Sequence, residues 1–309
     1  MVVSSPLARA IAGRRLVVFV GEGGVGKTST AAAIAVARAR TGDRAAVLTI
    51  DPAPRLGDAL GLDAIDESPR LVELGEDCPG RLTAMRLDAE RTFDRLVERL
   101  APTAESAAVI LENPIYRALS GSLGGAEAYM ALQRLYELSG NEDYDTLFVD
   151  TPPAAHAAEL LSAPLRLTAL LDTGAAAVLA NPAILLARAG TSVARAGLGA
   201  ILAMLERLTG STLRRQVTEF ITHFEHVLEG LSHRAGAVGE MLRAPDTLFV
   251  QVVRPRMPDV AAAAALRTSL AERGLTVGAI VVNRLTPGPA EDRTIARKVR
   301  LAGAPPGTL

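Results

Sequence analysis

Six short apolar runs alternate along the chain with longer stretches of helical periodicity. Each run is almost unbroken in hydrophobic residues, which indicates a strand buried on both faces. Strands separated by helices are typical of a parallel sheet covered by helices on both sides. The predicted strands are Leu16–Val20, Ala45–Ile50, Leu82–Leu87, Thr146–Val149, Thr247–Val253 and Val277–Val282. We therefore expect an α/β fold.

Two long stretches between these strands have helical periodicity and no convincing strand. Asn-Pro pairs interrupt both of them, at Asn113-Pro114 and Asn181-Pro182. We expect one domain spanning residues 1–309, with a helical subdomain built from about residues 103–139 and 157–243. The Leu, Ala and Val stripes of this subdomain fit two structures. They pack together as a core, or they line a groove for an apolar client helix.

A glycine-rich loop follows the first predicted strand. Residues 21–28 form a complete G-x-x-x-x-G-K-T motif, and a helical pattern, Ser29–Arg40, comes next. In this setting backbone N–H groups cradle phosphates, the lysine reaches β- and γ-phosphate oxygens, and the threonine hydroxyl binds Mg²⁺. Only two of the 33 basic residues are lysine, and one occupies the motif. The predicted phosphate-binding residues are Gly21, Gly23, Gly24, Val25, Gly26, Lys27, Thr28 and Ser29.

Aspartates follow two other predicted strands. Because the C-terminal ends of parallel strands share one edge of a sheet, we expect Asp51 and Asp150 close to the glycine loop. Asp150 is predicted to hold Mg²⁺ together with Thr28, and a helix N-cap is the alternative. Pro52 and Pro54 hold the loop at Asp51 extended. That carboxylate is predicted to orient the water that attacks the γ-phosphate, and the alternative is a cap or turn residue.

Composition and charge exclude several other classes of protein. The net charge of −1 gives no basic surface for nucleic acid. The single cysteine, Cys78, forms neither an internal disulfide nor a cysteine-based metal site within one chain. Met1–Ala12 lacks the apolar segment of a signal peptide, and charged residues interrupt the most apolar stretch, Leu161–Leu205. We therefore expect a cytoplasmic protein that is not integral to a membrane.

Several of these segments together resemble the ArsA family of ATPases. They are the glycine loop at 21–28, TIDPAPRLGDALG at 49–61, YMA at 129–131, VDTPP at 149–153, APLRL at 163–167 and VVNR at 281–284. The resemblance covers nearly the whole chain, and it is strongest to the bacterial single-domain members of the family. The family includes arsenite-pump ATPases and ATPases that deliver tail-anchored membrane proteins.

The resemblance implies a P-loop NTPase fold, with a mostly parallel sheet flanked by helices and a large helical insertion. It implies ATP and Mg²⁺ as cofactors, and ATP hydrolysis that drives a conformational switch in a dimer, with a membrane protein or another client as cargo. Asp51 then corresponds to the switch I aspartate, and Asp150 with residues 151–156 to switch II. Asn283 corresponds to the asparagine that contacts adenine. The implied partner is a second copy of the chain or an ArsA-like paralogue.

The chain departs from the family pattern at three places. The family usually has a lysine at the second position of the glycine loop, where it reaches the partner's nucleotide, and this chain has Glu22. The cysteines that bind arsenite in the pumps and zinc in eukaryotic tail-anchored-protein ATPases are missing, since Cys78 stands alone. Relatives usually continue further after the position of Asn283, so we expect an abbreviated C-terminus.

Glu22 leaves a second function open. The chain would then be an ATP-binding regulatory subunit of low intrinsic activity that acts with a lysine-bearing paralogue. A positioning ATPase of the ParA/MinD type is a third hypothesis. It would need a membrane-targeting tail or a basic DNA-binding face, and the sequence has neither.

Overall fold

The computed structural model of the chain describes residues 5–114, 116–117, 126–153, 220, 223–224, 226–227, 229–231 and 233–285. The strands are β1 (Leu16–Val20), β2 (Arg44–Thr49), β3 (Arg70–Val72), β4 (Arg81–Arg86), β5 (Thr146–Asp150), β6 (Thr247–Val253) and β7 (Val277–Val282). The helices with defined bounds are α1 (Pro6–Ile11), α2 (Lys27–Ala39), α3 (Arg55–Leu60), α4 (Ala89–Leu100), α5 (Ala104–Glu112), α6 (Ala126–Ser139) and α7 (Met257–Ala271).

The strands form one sheet in the order β3-β4-β2-β5-β1-β6-β7. Neighbouring strands are parallel except for β3 and β4, which are antiparallel. The register pairs Asp150 at the end of β5 with Phe19 of β1 on one side and with Thr49 of β2 on the other. The C-terminal ends of these three strands therefore meet at the centre of one edge of the sheet, where ligands bind in folds of this kind.

Small apolar side chains let α2 pack closely on the sheet. Ala31, Ala35 and Ala39 are spaced four residues apart on one helix face, and all three are fully buried. Every residue of β1 and β5 is buried, and the rings of Phe19 and Phe148 lie 6.4 Å apart between centroids. Coverage on both faces requires an apolar residue at nearly every strand position, which explains the unbroken runs in the sequence.

The predicted α/β fold with a mostly parallel sheet is confirmed. Strands β1, β6 and β7 have the predicted bounds, β2 and β4 begin and end one residue earlier, and β5 extends to include Asp150. The sequence did not predict β3, because two of its three residues are exposed and it has no apolar run. Helix α2 begins at Lys27 rather than at Ser29, because the last residues of the glycine motif form its first turn.

The chain divides into two compact units. The first comprises Met1–Asp88, Ala131–Ser162 and Glu240–Leu309, and the second Ala89–Met130 and Ala163–Gly239. The sheet belongs to the first unit. Residues 154–219, which carry about half of the predicted helical subdomain, lie outside the described residues. The predicted packed core and the alternative client groove both fall mainly on these residues, so both stay predictions.

Aromatic side chains pack together within the second unit. The ring of Phe93 lies 5.1 Å from that of Tyr116 and 6.2 Å from that of Phe224, measured between centroids. The Tyr116 hydroxyl donates a hydrogen bond of 2.7 Å to Asp94. Rings at these distances and angles are in favourable aromatic contact, so the second unit has an apolar cluster of its own.

Candidate nucleotide-binding site

The glycine loop joins the end of β1 to the start of α2 at the central edge of the sheet. Gly26 is the N-cap of α2 and has a φ of 96°, a left-handed conformation that favours glycine. A Cβ atom at Gly26 would collide with the side-chain amide of Asn283, and one at Gly21 would collide with the Val252 carbonyl. Glycine is therefore favoured at both positions, because a side chain at Gly21 would meet backbone and one at Gly26 would have to displace the Asn283 amide.

Lys27 lies inside this loop. It is buried, and its ammonium donates hydrogen bonds of 3.0 Å to the carbonyl oxygens of Gly21 and Glu22. Burial lowers the pKa of Lys27 from its usual value, while the negative charges of Asp150, Asp51 and Glu22 oppose that shift. Within the described part of the chain its hydrogen-bond partners are the two neutral carbonyls, and a desolvated ammonium gains from an anion, so this group is well placed to pair with phosphate oxygens.

Asp150 is the most buried carboxylate of the site, with 1% of its surface exposed. Its Oδ2 accepts hydrogen bonds from two hydroxyls, from Thr28 at 2.7 Å and from Thr49 at 3.1 Å. Its Oδ1 is also buried and has no hydrogen-bond partner among the described residues. Burial raises the pKa of Asp150, and the two hydroxyls and the Lys27 ammonium partly offset that effect.

The hydroxyl oxygen of Thr28 and the carboxylate oxygens of Asp150 are suitable ligands for a magnesium ion. Mg²⁺ prefers carboxylate, hydroxyl and water oxygens, and proteins often supply only one or two ligands to it. The Thr28 hydroxyl and the Asp150 carboxylate are in contact, and the second carboxylate oxygen is a buried acceptor that a cation or its water would satisfy. The two residues that the sequence predicted as metal ligands therefore lie together.

Asp51 lies in the loop after β2, and several groups fix its position. Its Oδ1 accepts a hydrogen bond of 3.0 Å from the Ala53 amide, and its Oδ2 forms an ion pair of 2.6 Å with Arg55. Its own amide donates to the Thr49 hydroxyl at 3.2 Å. The Ala53 contact is the turn role that was the alternative for this residue. The predicted water-orienting role remains a prediction.

Asn283 follows β7 and contacts the glycine loop directly. Its side-chain amide donates a hydrogen bond of 2.9 Å to the Val25 carbonyl, and its backbone amide donates to Val253, also at 2.9 Å. The Val25 side chain is buried in the hydrophobic core. The loop is thus fixed on one side by its own apolar residue and on the other by Asn283, a contact that the sequence did not predict.

The remaining predicted residues belong to the same loop and turn. Gly23 lies close to Pro153, Gly24 has a left-handed φ of 72°, and Ser29 is exposed in the first turn of α2. The described structure brings all the predicted site residues to one edge of the sheet. In the described ranges, no group of three or more His, Cys, Asp and Glu side chains has the arrangement of a metal cluster.

In the described part of the chain, Thr49 and Arg55 also contact site residues and were not predicted from the sequence. Thr49 bridges Asp150 and Asp51, and Arg55 pairs with Asp51. The signal for Thr49 is a hydroxyl residue inside an apolar strand, two positions before an acidic strand end. Arg55 had no comparable signal, because an arginine in a loop is most often a solvated surface residue.

The length and hydrophobicity of a helix decide whether it could span a membrane. Among the residues that the structure describes, no helix has the combination of length and apolar character that a membrane span requires.

Comparison with known proteins identifies the family of the chain. Residues 14–301 match the family model described as anion-transporting ATPase, ArsA type. The chain is 32% identical over 278 residues to an uncharacterized protein of Streptomyces coelicolor. This match covers 88% of this chain and 63% of the Streptomyces protein. The chain is 34% identical over 150 residues to ATPase ARSA2 of Chlamydomonas reinhardtii. This match covers 48% of this chain and 38% of ARSA2. The chain is also 26% identical over 144 residues to ATPase GET3 of Malassezia globosa, covering 47% and 40% of the two chains.

The chain therefore matches less than two thirds of the length of each of these relatives. The family match, by contrast, extends over nearly all of the chain and includes the glycine loop, both aspartates and Asn283. The family is one of P-loop NTPases, which agrees with the observed sheet. The chain belongs to the ArsA family of P-loop ATPases.

Proposed function

We propose that the chain binds MgATP at residues 21–28 and hydrolyses it, transferring the γ-phosphoryl group to water. One observation carries this proposal most directly. A buried carboxylate, Asp150, has one oxygen bonded to the Thr28 hydroxyl and the other without a described partner, next to the buried ammonium of Lys27. Cations and hard oxygen ligands at the end of a central parallel strand are the components that phosphoryl transfer needs.

Each residue has a distinct role in this proposal. The loop amides and Lys27 bind the phosphates, and the Lys27 ammonium exchanges its carbonyl partners for phosphate oxygens. Thr28 and Asp150 would hold Mg²⁺, and the bound ion would supply positive charge that neutralises the phosphates. Asp51 orients the attacking water. Asn283 keeps the loop in place through Val25 and contacts the adenine.

We further propose that hydrolysis drives a conformational switch in a dimer that handles a client, in the cytoplasm and without a membrane span. The family resemblance supports this part of the proposal. The dimer is a homodimer or a heterodimer with an ArsA-like paralogue. The client is a membrane protein with an apolar helix or another cargo.

The second candidate function is an ATP-binding regulatory subunit with low activity of its own. Glu22 favours it, because a carboxylate replaces the family's usual lysine. The backbone carbonyl of Glu22 accepts a hydrogen bond of 3.0 Å from the Lys27 ammonium, so this residue lies beside the proposed phosphate site. A like charge beside a triphosphate weakens binding unless a cation intervenes. A lysine-bearing partner would supply that cation.

Substitutions of the two lysines test the proposed function. We expect Lys27→Ala to weaken MgATP binding and to remove most phosphate release. Lys27→Arg should be nearly as impaired, because a guanidinium does not fit along the loop. Lys298→Ala is the matched control, since it removes the only other lysine and should leave both measurements unchanged.

The measurements are nucleotide binding by titration calorimetry and phosphate release by a coupled assay. Normal turnover in Lys27→Arg would show that this loop does not cradle phosphates. Tight MgATP binding without phosphate release from the chain alone, but with release after addition of a lysine-bearing paralogue, would favour the regulatory subunit.

A further inference from the structure

Thr49 is the last residue of β2, and its hydroxyl lies between the two aspartates of the site. It is buried, with 1% of its surface exposed. The oxygen accepts a hydrogen bond of 3.2 Å from the Asp51 amide and donates one of 3.1 Å to Asp150 Oδ2. A hydroxyl has one proton and two acceptor sites, so it can make both bonds at the same time.

The backbone around Thr49 is fixed to both neighbouring strands. The Thr49 carbonyl accepts from the Leu87 amide at 2.9 Å, and the Ile50 amide donates to the Asp150 carbonyl at 3.0 Å. The ladder ends there. The next amide, that of Asp51, has the Thr49 hydroxyl as its acceptor. The loop that carries Asp51 therefore begins at a contact between a side chain and the backbone.

Asp150 Oδ2 receives two hydroxyl donors that have different surroundings. Thr28 is in the first turn of α2 and belongs to the proposed metal site, while Thr49 leads to the Asp51 loop. The Asp51 amide, the Thr49 hydroxyl and Asp150 Oδ2 therefore form one continuous chain of hydrogen bonds. Hydrogen bonds in such a chain polarise one another, so the two ends of this chain are linked through Thr49.

We propose that Thr49 is a positioning residue that couples the Asp150 carboxylate to the loop bearing Asp51. This inference rests on the proposed function, since the loop is the one that would orient water. Thr49 does not touch the reacting atoms. It sets the position of the Asp51 backbone, and the Asp51 carboxylate then keeps the geometry given by Ala53 and Arg55. The link depends on the hydroxyl, because an apolar strand residue such as Val47, two positions earlier in β2, has no group that could make these two hydrogen bonds.

Two substitutions separate the hydroxyl from the rest of the side chain. Thr49→Val keeps the branched shape and removes the hydroxyl, and Thr49→Ser keeps the hydroxyl and removes the methyl group. Thr83→Val is the matched control, because Thr83 is a buried threonine of β4 whose hydroxyl bonds to Tyr144. If Thr49→Val does not fold, Thr49→Ala replaces it, and melting temperatures identify any variant with a general loss of stability.

Hydrogen exchange in the nucleotide-free protein gives a measurement that does not depend on hydrolysis. Pro52 and Pro54 have no amide proton, so a peptide covering residues 49–55 reports few amides, with Asp51 among them. We expect exchange at Asp51 to be about fivefold faster in Thr49→Val, from the loss of one hydrogen bond. Exchange in Thr49→Ser and Thr83→Val should match the wild type. Asp150→Ala should also speed exchange at Asp51, and should have no further effect when Thr49→Val is already present.

Turnover gives the second measurement. Thr49→Val should lower kcat for MgATP by about tenfold or more, while the nucleotide Kd changes by less than about threefold. Thr49→Ser should stay within about threefold of the wild type in both quantities. Normal kcat in Thr49→Val, equal losses in Thr49→Ser, or unchanged exchange at Asp51 would overturn the proposal. A loss of affinity with normal kcat would also overturn it. If the wild-type chain releases no phosphate, the proposed function fails, and hydrogen exchange still decides the role of Thr49.

Discussion

The contact between Gly26 and Asn283 allows a quantitative test of how the phosphate loop is held. Gly26→Ala adds one methyl group at a φ of 96°, in the direction of the Asn283 amide. A left-handed conformation costs a residue with a side chain about 1–2 kcal/mol. The added methyl also displaces the Asn283 side chain and breaks its hydrogen bond to Val25, which costs about 1 kcal/mol more. We expect Gly26→Ala to lower the free energy of unfolding by about 2–3 kcal/mol.

Gly42 provides the matched control for this substitution. Its φ is 105°, similar to that of Gly26, but beyond its chain neighbours no atom of the described residues lies within 4 Å of where its Cβ would be. Gly42→Ala should therefore cost only the backbone term, about 1–2 kcal/mol. The difference between the two variants isolates the contact with Asn283.

Urea unfolding of the nucleotide-free protein, followed by circular dichroism, measures these free energies. The set comprises Gly26→Ala, Asn283→Ala, the double variant and Gly42→Ala. Because the double variant loses the Asn283–Val25 bond only once, its loss should be smaller than the sum of the two single losses by about 1 kcal/mol. Additive losses, or equal losses for Gly26→Ala and Gly42→Ala, would refute the reasoning that Asn283 packs against Gly26.

Three further predictions concern the charged groups of the site. Asp51→Asn should keep ATP and Mg²⁺ affinity and slow phosphate release, whereas Asp150→Asn should raise the Mg²⁺ concentration needed for turnover; the reverse pattern in a magnesium titration would mean that the two roles are exchanged. Because burial raises the pKa of Asp150, the folded protein binds its proton more tightly than the unfolded chain does, and the unfolding free energy gains from Asp150 as the pH falls through that raised pKa. Without Mg²⁺ and nucleotide, Asp150→Asn should therefore be more stable than the wild type at neutral pH, with a difference that shrinks on acidification, and a difference independent of pH in urea titrations would exclude this origin. Glu22→Lys should strengthen self-association, measured by sedimentation, or raise turnover, and no change in either would mark position 22 as an ordinary variable position of the loop.

Much of the fold could be predicted because the sheet is covered on both faces. That coverage requires unbroken apolar runs, and six of the seven strands have one. The exception is β3, an edge strand with exposed residues and only three positions, which has no periodic signal. The predicted phosphate and metal residues came together for a similar reason, since a glycine motif after a strand and an aspartate at a strand end occupy fixed places in a parallel sheet.

The contacts that hold the site in place could not be predicted from spacing. Asn283 and Val25 are 258 positions apart, and their bond depends on how β7 and the glycine loop are placed in space. The Thr49 hydroxyl has two partners in two different segments, and a strand pattern does not reveal a direction for one polar side chain. The sequence left two roles open for Asp51, orienting water or capping a turn, and it gave no sign of the ion pair that the structure adds between Asp51 and Arg55.

A single-turnover reaction tests the central proposal most directly. The purified chain is mixed with a substoichiometric amount of ATP labelled in the γ-phosphate, with Mg²⁺ or with a chelator, beside the Lys27→Ala variant. We predict release of labelled phosphate that requires both Mg²⁺ and Lys27. Equal release from Lys27→Ala, or release that continues without Mg²⁺, would contradict hydrolysis at the loop of residues 21–28.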